Sequence, residues 1–181
     1  MTVASPAVRR PLDACTSLDT LIERLRVNRR LTLGFLDHLR LLAAAEARQA
    51  AGDAEGESER LLAGLPAGWV DGSIGWNLLH VAVYEQGCTG RPAAAEWRRF
   101  RHGAEPGAEA APLAEIAERL AAGRAALLAR LEGWGAEGLD RPAAGAESAM
   151  TRRQVVDAAV WHEPHHLNLC NEVLRRLWFE G

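Results

Sequence analysis

The chain has 181 residues, enough for one domain built around a single hydrophobic core. A hydrophobic content of 48% and a charged content of 25% are ordinary for a globular protein, and a net charge of −3 without a basic block excludes the electrostatic pattern of nucleic-acid binding. No apolar run reaches the roughly 20 residues of a membrane span, and Met1 to Ala14 lacks the apolar centre of a signal peptide.

The cysteines and basic residues indicate the environment of the protein. Cys15, Cys88 and Cys170 are few, widely spaced and form no CxxC pair, so they are typical of reduced thiols rather than of a disulfide framework. We therefore expect a cytoplasmic protein. All 21 basic residues are arginine, which we attribute to the coding bias of a GC-rich genome.

The N-terminal segment is predicted to lie outside the folded domain. Residues 1–16 are expected to be a flexible lead-in, because Pro6 and Pro11 interrupt any helix there. Residues 17–181 are expected to form one domain.

The first helix is predicted to start at the N-cap Ser17 and to run to about Ala51. Its inward stripe contains one amide, Asn28, which we interpret either as a substrate contact or as a buried polar contact. The stripe is Leu18, Leu21, Leu25, Asn28, Thr32, Phe35, Leu39 and Leu42. A short helical piece is also predicted over Ser58 to Ala63.

The second helix, about Ser73 to Cys88, is apolar on most sides and should be buried on most sides. His80 lies in its middle and is a candidate metal ligand or a hydrogen-bonded core residue. Asn77 and Tyr84 flank His80 on the same face, one turn before and one turn after it, and are candidates to orient a ligand or contact a substrate.

A long crossover, Gly90 to Pro112, is rich in glycine, proline and alanine, and its segment RPAAAEWRRFR is predicted to form a short surface helix. The third helix is predicted over about Pro112 to Trp134. Its stripe is Leu113, Ala117, Leu120, Arg124, Leu127, Leu131 and Trp134. Arg124 is a candidate to bind a substrate carboxylate, unless its side chain extends to solvent.

The fourth helix, Thr151 to Trp178, begins with a capping-box pair, Thr151 and Gln154. Its inward stripe is Val155, Ala159, His162, His166, Cys170, Val173 and Leu177. Pro164 should kink this helix between the two histidines. Four amphipathic helices, with a long crossover between the second and the third, predict an all-α four-helix bundle.

The two histidines of the fourth helix indicate a metal site. His162 and His166 are four residues apart, so their Cβ atoms lie roughly 6 Å apart on one face. Two imidazoles so placed can converge on one ion at about 2.0–2.1 Å. His80 is predicted to supply a third ligand across the bundle, and three protein ligands with open positions are typical of a catalytic metal site. Cys170, one turn further, would close the site if it were a fourth donor.

The same segment also matches HExxH, the signature of zinc proteases, with Glu163 as the general base. Pro164 falls inside the motif, and Glu172 stands where one protease class has a third histidine. Only fifteen residues follow His166. These features disfavour the protease interpretation.

The segment SIGWNLLHVAVYEQ and, about 80 residues later, TRRQVVDAAVWHEPHHLNLCNEVLRR together resemble the DinB/YfiT-like superfamily of metalloenzymes. This superfamily includes bacillithiol- and mycothiol-dependent S-transferases and mycothiol-dependent maleylpyruvate isomerases. The resemblance covers roughly Ser17 to Trp178 and implies metal ligands at His80, His162 and His166. It also implies an often dimeric bundle that binds zinc or nickel and uses a low-molecular-weight thiol, for which the arginine-only composition suggests mycothiol.

The expected function is a metal-dependent transferase that activates a thiol for attack on a small electrophilic substrate. Tyr84 and Glu163 are the candidate proton-transfer residues, although Glu163 projects about 100° away from His162. Asn77, Arg124 and Asn28 are the candidate substrate contacts. Two alternatives stay open: a metal-dependent hydrolase of a small amide or ester, and a non-catalytic bundle that the metal stabilises. We expect a small-molecule substrate and a homodimer, with no nucleic acid or membrane partner.

Overall fold

The computed structural model describes residues 16–49, 64, 72–90, 94–101, 103–109, 111–143 and 150–180. Its α-helices in this part of the chain are α1 (Leu18–Gln49), α2 (Ile74–Cys88), α3 (Leu113–Gly138) and α4 (Arg152–Glu180). The described residues contain no β-strand; Pro142 and Thr151 form an isolated bridge. The predicted all-α bundle with a long second connection is confirmed. The piece expected over residues 58–63 lies outside the described residues, as does nearly all of the lead-in.

Side-chain hydrogen bonds cap the starts of α1 and α4, close to where the sequence predicts. Ser17 Oγ accepts a hydrogen bond from the amide of Thr20 at 3.2 Å. At the start of α4, the Thr151 amide donates to Gln154 Oε1 at 2.8 Å, and the Gln154 amide donates to Thr151 Oγ1 at 3.3 Å. Because these bonds satisfy amides that a helix leaves unpaired, they fix each helix start to within a residue.

The third helix runs beyond its predicted end. It is interrupted at Gly135, whose φ of 64° and ψ of 176° are non-helical, and one more turn reaches Gly138. Only glycine adopts this conformation without steric cost. The predicted end at Trp134 therefore coincides with the interruption.

The crossover between α2 and α3 contains a 3-10 helix, Ala95–Phe100. Most of its residues are exposed, as predicted, but Phe100 is fully buried. The Phe100 ring lies 5.7 Å from the ring of Trp97 and 6.3 Å from that of Trp76. This anchor holds the crossover against α2, while most of the predicted surface helix is exposed.

Pro164 is accommodated inside α4, which continues through it. Proline has no amide hydrogen, so Val160, four residues earlier, loses its helical donor. Asn28 of α1 supplies the missing donor, because its Nδ2 lies 2.7 Å from the Val160 carbonyl oxygen. The Val160 carbonyl, which Pro164 leaves without a helical donor, is thus paired with an amide from another helix.

The core consists of two apolar clusters. One contains Leu36, Leu79 and Leu120 among its fully buried members, and the other contains Leu25 and Leu131. On α1, α3 and α4 buried polar side chains lie between the two clusters: Arg29 and Thr32, Arg124, and Glu163 and His166, with the half-buried His162 beside them. A polar layer therefore crosses the middle of the bundle.

Candidate metal centre

His80 is held from two sides in the middle of α2. Its Nδ1 lies 2.6 Å from the carbonyl oxygen of Phe100, and its ring stacks on Trp76 with centroids 4.9 Å apart and planes at 9°. A carbonyl oxygen only accepts hydrogen bonds, so Nδ1 carries the proton. Nε2 consequently carries a lone pair, the form in which an imidazole binds a metal.

His166 is oriented in the same way by Asn77. Its Nδ1 lies 2.6 Å from Asn77 Oδ1, while Asn77 Nδ2 donates to the carbonyl oxygen of Ser73 at 2.9 Å. The contact to Ser73 identifies the amide nitrogen, so Asn77 Oδ1 is the acceptor and His166 Nδ1 the donor. His166 therefore also carries its lone pair on Nε2.

His162 completes the group. Its Nε2 lies 3.1 Å from Nε2 of His80, and its ring stacks on Tyr84 with centroids 3.9 Å apart and planes at 20°. Because His80 Nε2 carries a lone pair, the Nε2–H of His162 donates to it when no ion is bound. A tetrahedral ion at 2.0–2.1 Å from each nitrogen would hold the two atoms about 3.3 Å apart, which is close to the separation seen here.

These three histidines form a group that can hold a metal ion, with one nitrogen of each within 4.8 Å of the others. Two of the three have the far nitrogen fixed by a carbonyl or carboxamide oxygen, the arrangement typical of metal-binding imidazoles. The donors fit a divalent transition metal. In the part of the chain that the structure describes, no cysteine, aspartate or glutamate joins the group.

Cys170 lies outside this group of histidines. Its Sγ lies 3.9 Å from the carbonyl oxygen of Ile74, and burial raises the pKa of its thiol to about 12. A thiol must lose its proton to bind zinc tightly. The alternative of a site closed by Cys170 stays a prediction, which the Cys170→Ser variant tests.

Next to the histidines lies a group of four buried charges, which we call the charge ring: Arg29, Glu85, Arg124 and Glu163. Arg29 Nη2 lies 2.8 Å from Glu85 Oε2, and Arg29 Nε lies 3.1 Å from Glu163 Oε1. Arg124 Nη2 contacts Glu85 Oε1 and lies 2.5 Å from Glu163 Oε2. Each arginine contacts both carboxylates, and each of the four helices contributes one residue.

The charge ring is shielded from solvent, with side-chain exposures between 1% and 8%. Burial opposes the charged form of Arg124, but the contact with Glu85, followed by that with Glu163, holds the pKa of Arg124 above its ordinary value. The guanidinium therefore stays charged, while burial raises the pKa of Glu85 despite the lowering effect of Arg29 and Arg124.

These contacts revise the interpretation of several predicted site residues. Arg124 does not extend to solvent, because Glu85 and Glu163 bind its guanidinium. Both oxygens of Glu163 contact arginines of the charge ring. Asn28 is half-buried and donates to the Val160 carbonyl. Asn77 orients His166, and Tyr84 packs directly on His162.

Arg29 and Glu85 were not among the site residues predicted from the sequence. For Glu85 a signal existed: it is the one charged residue of the apolar α2, which was expected to be buried on most sides. A carboxylate in such a helix requires a buried cation. Arg29 gave no signal, since it stands beside Arg30 in a charged stretch of α1.

Comparison with known proteins identifies the family. A family model described as the DinB superfamily matches residues 66–170, more than half of the chain, and the matched range includes all three histidines. No curated protein and no solved structure gives a significant match. Among the described residues, no helix is both long and apolar enough to cross a membrane. On the strength of the family match, the chain belongs to the DinB superfamily.

Proposed function

We propose that this DinB superfamily member is a divalent-metal-dependent enzyme that activates a low-molecular-weight thiol for attack on a small electrophile. The observation that carries the proposal is the set of three converging imidazoles, two of them in the tautomer that metal binding needs. His80, His162 and His166 are the proposed ligands. Zinc or nickel suits an all-imidazole donor set.

Three protein ligands favour catalysis over a purely structural role, because a structural zinc site normally has four. A metal held here would lower the pKa of a bound thiol, so that the thiolate is available at neutral pH. The thiolate sulfur then forms a bond to the electrophilic carbon of the substrate, and the leaving group or the displaced electron pair takes up a proton.

The side chains around the histidines suit this chemistry. Tyr84 is half-buried and stacks on His162, which places it next to the proposed reaction centre, and we assign it the proton transfer. Trp76 covers His80 from the other direction along α2. We expect the rings of Tyr84 and Trp76 to exclude water from the edge of the site. This exclusion would favour thiolate attack over hydrolysis of the electrophile.

The first test is the metal content of tag-free protein, measured by mass spectrometry after incubation with zinc and with nickel. We expect about one ion per chain in the wild type and its loss in His166→Ala. The matched control is His165→Ala, since His165 is exposed and its ring only meets the edge of His166 at 5.2 Å. Wild-type protein that binds neither metal would overturn the proposal.

The second test separates thiol transfer from the hydrolase alternative, which would use the same ligands. Metal-loaded protein is assayed against a panel of electrophiles with and without mycothiol, bacillithiol or glutathione. We expect turnover only with a thiol, and its loss in His166→Ala. Thiol-independent turnover of small esters or amides would instead favour a hydrolase.

A further inference from the structure

We propose that the charge ring is the positioning device of the histidine group, holding α2 and α4 at the separation and rotation at which their histidines meet. The proposal rests on the proposed function only in taking these histidines as ligands. Arg29, Glu85, Arg124 and Glu163 are positioning residues in this view, and none of them is expected to contact the substrate.

The charge ring connects all four helices of the bundle. Arg29 and Arg124 come from α1 and α3, and each bridges Glu85 of α2 to Glu163 of α4. Apolar packing is non-directional, so by itself it fixes sliding and rotation of helices only loosely. Charge-assisted hydrogen bonds demand a defined geometry, and Arg29 donates one to Glu85 while Arg124 donates to both Glu85 and Glu163. The charge ring therefore fixes α2 against α4 more closely than the apolar clusters can.

The two glutamates of the charge ring are sequence neighbours of the histidine group. Glu163 directly follows the proposed ligand His162, and Glu85 directly follows Tyr84, whose ring stacks on His162. A rotation of α4 that moved Glu163 from its two arginines would turn His162 away from His80, whose Nε2 is only 3.1 Å away. The charge ring and the histidine group therefore move as one unit.

The four charges of the ring are buried at a cost in desolvation free energy. Buried ion pairs are expensive to desolvate, and well-packed apolar residues of similar volume often stabilise a protein as well or better. Stability alone thus gives a poor reason to bury four charges across one layer. Fixing a unique register is the best-attested role of such groups, and here the register they fix is that of the histidines.

The test uses the double variant Arg124→Met/Glu163→Gln, which leaves the neutral Arg29–Glu85 pair at 2.8 Å in place. We expect zinc or nickel affinity to fall by about 10- to 100-fold, the usual effect of losing support around ligands. The control is Leu131→Ala in α3, a fully buried side chain of the other apolar cluster. It should lower Tm but leave metal affinity unchanged.

A milder variant covers the case in which the double variant does not fold. Glu163→Asp keeps the charge but withdraws the carboxylate by one methylene. We expect it to fold and to weaken metal binding less than the double variant does. The proposal would be overturned if either folded variant bound zinc or nickel with wild-type affinity and showed only a lower Tm. The charge ring would then stabilise the fold without positioning the histidines.

A metal-free measurement makes this test independent of the proposed function. Nitrogen-15 NMR of histidine side chains in the metal-free wild type should show His80 and His166 protonated at Nδ1. The folded variants with a disrupted charge ring should show an averaged tautomer at His166, whose acceptor Asn77 lies on the other helix, and an unchanged tautomer at His80, whose acceptor is the Phe100 carbonyl. If the wild type bound no metal, the proposed function would fail, and this spectrum would still decide the positioning proposal. An unchanged His166 tautomer in the variants would overturn it.

Discussion

At the scale of single residues, two oxygen atoms orient the imidazole rings of the proposed metal ligands. Asn77 Oδ1 accepts from His166, and the main-chain carbonyl of Phe100 accepts from His80. Sequence alone placed His80, His162 and His166 on inward faces, because helical spacing reveals which face a residue occupies. It did not reveal which atom fixes each ring, because the Phe100 carbonyl comes from a crossover whose path depends on tertiary packing.

Replacing Asn77 by leucine is expected to weaken zinc or nickel binding by about 10- to 100-fold, since His166 loses the acceptor that fixes its tautomer. Competition with a chromophoric chelator measures the affinity. The control is Asn168→Leu on the exposed side of α4, which should change nothing. Equal affinities for the two variants would show that Asn77 does not orient the ligand.

Cys170 is expected to be unreactive in the folded protein, because burial raises the pKa of its thiol to about 12 and little thiolate is present at pH 8. Alkylation followed by peptide mass spectrometry should modify Cys170 slowly in native buffer and rapidly in denaturant. Cys170→Ser should keep the metal stoichiometry of the wild type. A loss of bound metal in that variant would bring back the closed, structural site.

At the scale of helices, two contacts between neighbours govern the middle of the bundle. One is the bond from Asn28 of α1 to the Val160 carbonyl that Pro164 leaves without a donor. The other is the close approach of α2 and α3 at Gly123, where an added Cβ would lie 2.7 Å from the Ala82 carbonyl oxygen. Caps and stripes were sufficient to predict the helices, but neither contact follows from local pattern. Each joins residues from different helices, so it depends on how the helices pack.

Asn28→Leu is expected to destabilise the protein by about 1–3 kcal/mol, the penalty of leaving a buried acceptor without a donor. In a Pro164→Ala background the restored amide supplies that donor, so the same substitution should have a smaller effect. Urea unfolding of the four proteins in this cycle gives the coupling energy. Additive effects would show that the proline and the amide are independent.

Gly123→Ala is expected to destabilise by about 1–3 kcal/mol, because its methyl group forces α2 and α3 apart. Gly133→Ala in the same helix is the control, since a Cβ there meets nothing within 4 Å. It should stabilise by about 0.5–1 kcal/mol through the better helix propensity of alanine. Thermal unfolding distinguishes the two, and a neutral Gly123→Ala would contradict the close packing.

At the scale of the whole molecule, the bundle is two apolar clusters separated by a polar layer that holds both the histidine group and the charge ring. The sequence predicted five polar residues facing inward, Asn28, His80, Arg124, His162 and His166, and in the structure all five are buried or half-buried. It did not predict that Arg124 would be matched by two carboxylates, because arginine usually reaches solvent from such positions. The division of the layer into a histidine part and a charged part emerges only when all four helices are assembled.

Because the proposed ligands come from α2 and α4, metal binding should stabilise the entire fold. A free metal concentration of 100 times Kd is expected to add about 2.7 kcal/mol to the free energy of unfolding. Chelation should reverse the gain, and His162→Ala should abolish it. Urea unfolding with and without zinc measures the difference. A metal-independent midpoint in protein that binds the ion would mean that the unfolded chain binds it as tightly as the native fold does, which would contradict this prediction.

His80 and His162 are 82 residues apart in the chain, yet their Nε2 atoms are 3.1 Å apart. An ion bound between them would act as a removable cross-link, closing a loop that contains the crossover, α3 and most of the family-matched region. In the chain-entropy treatment used for disulfides, closing a loop of that length restricts the unfolded chain by about 4–5 kcal/mol. Withdrawal of the ion would then loosen this protein much as reduction loosens a disulfide-linked one.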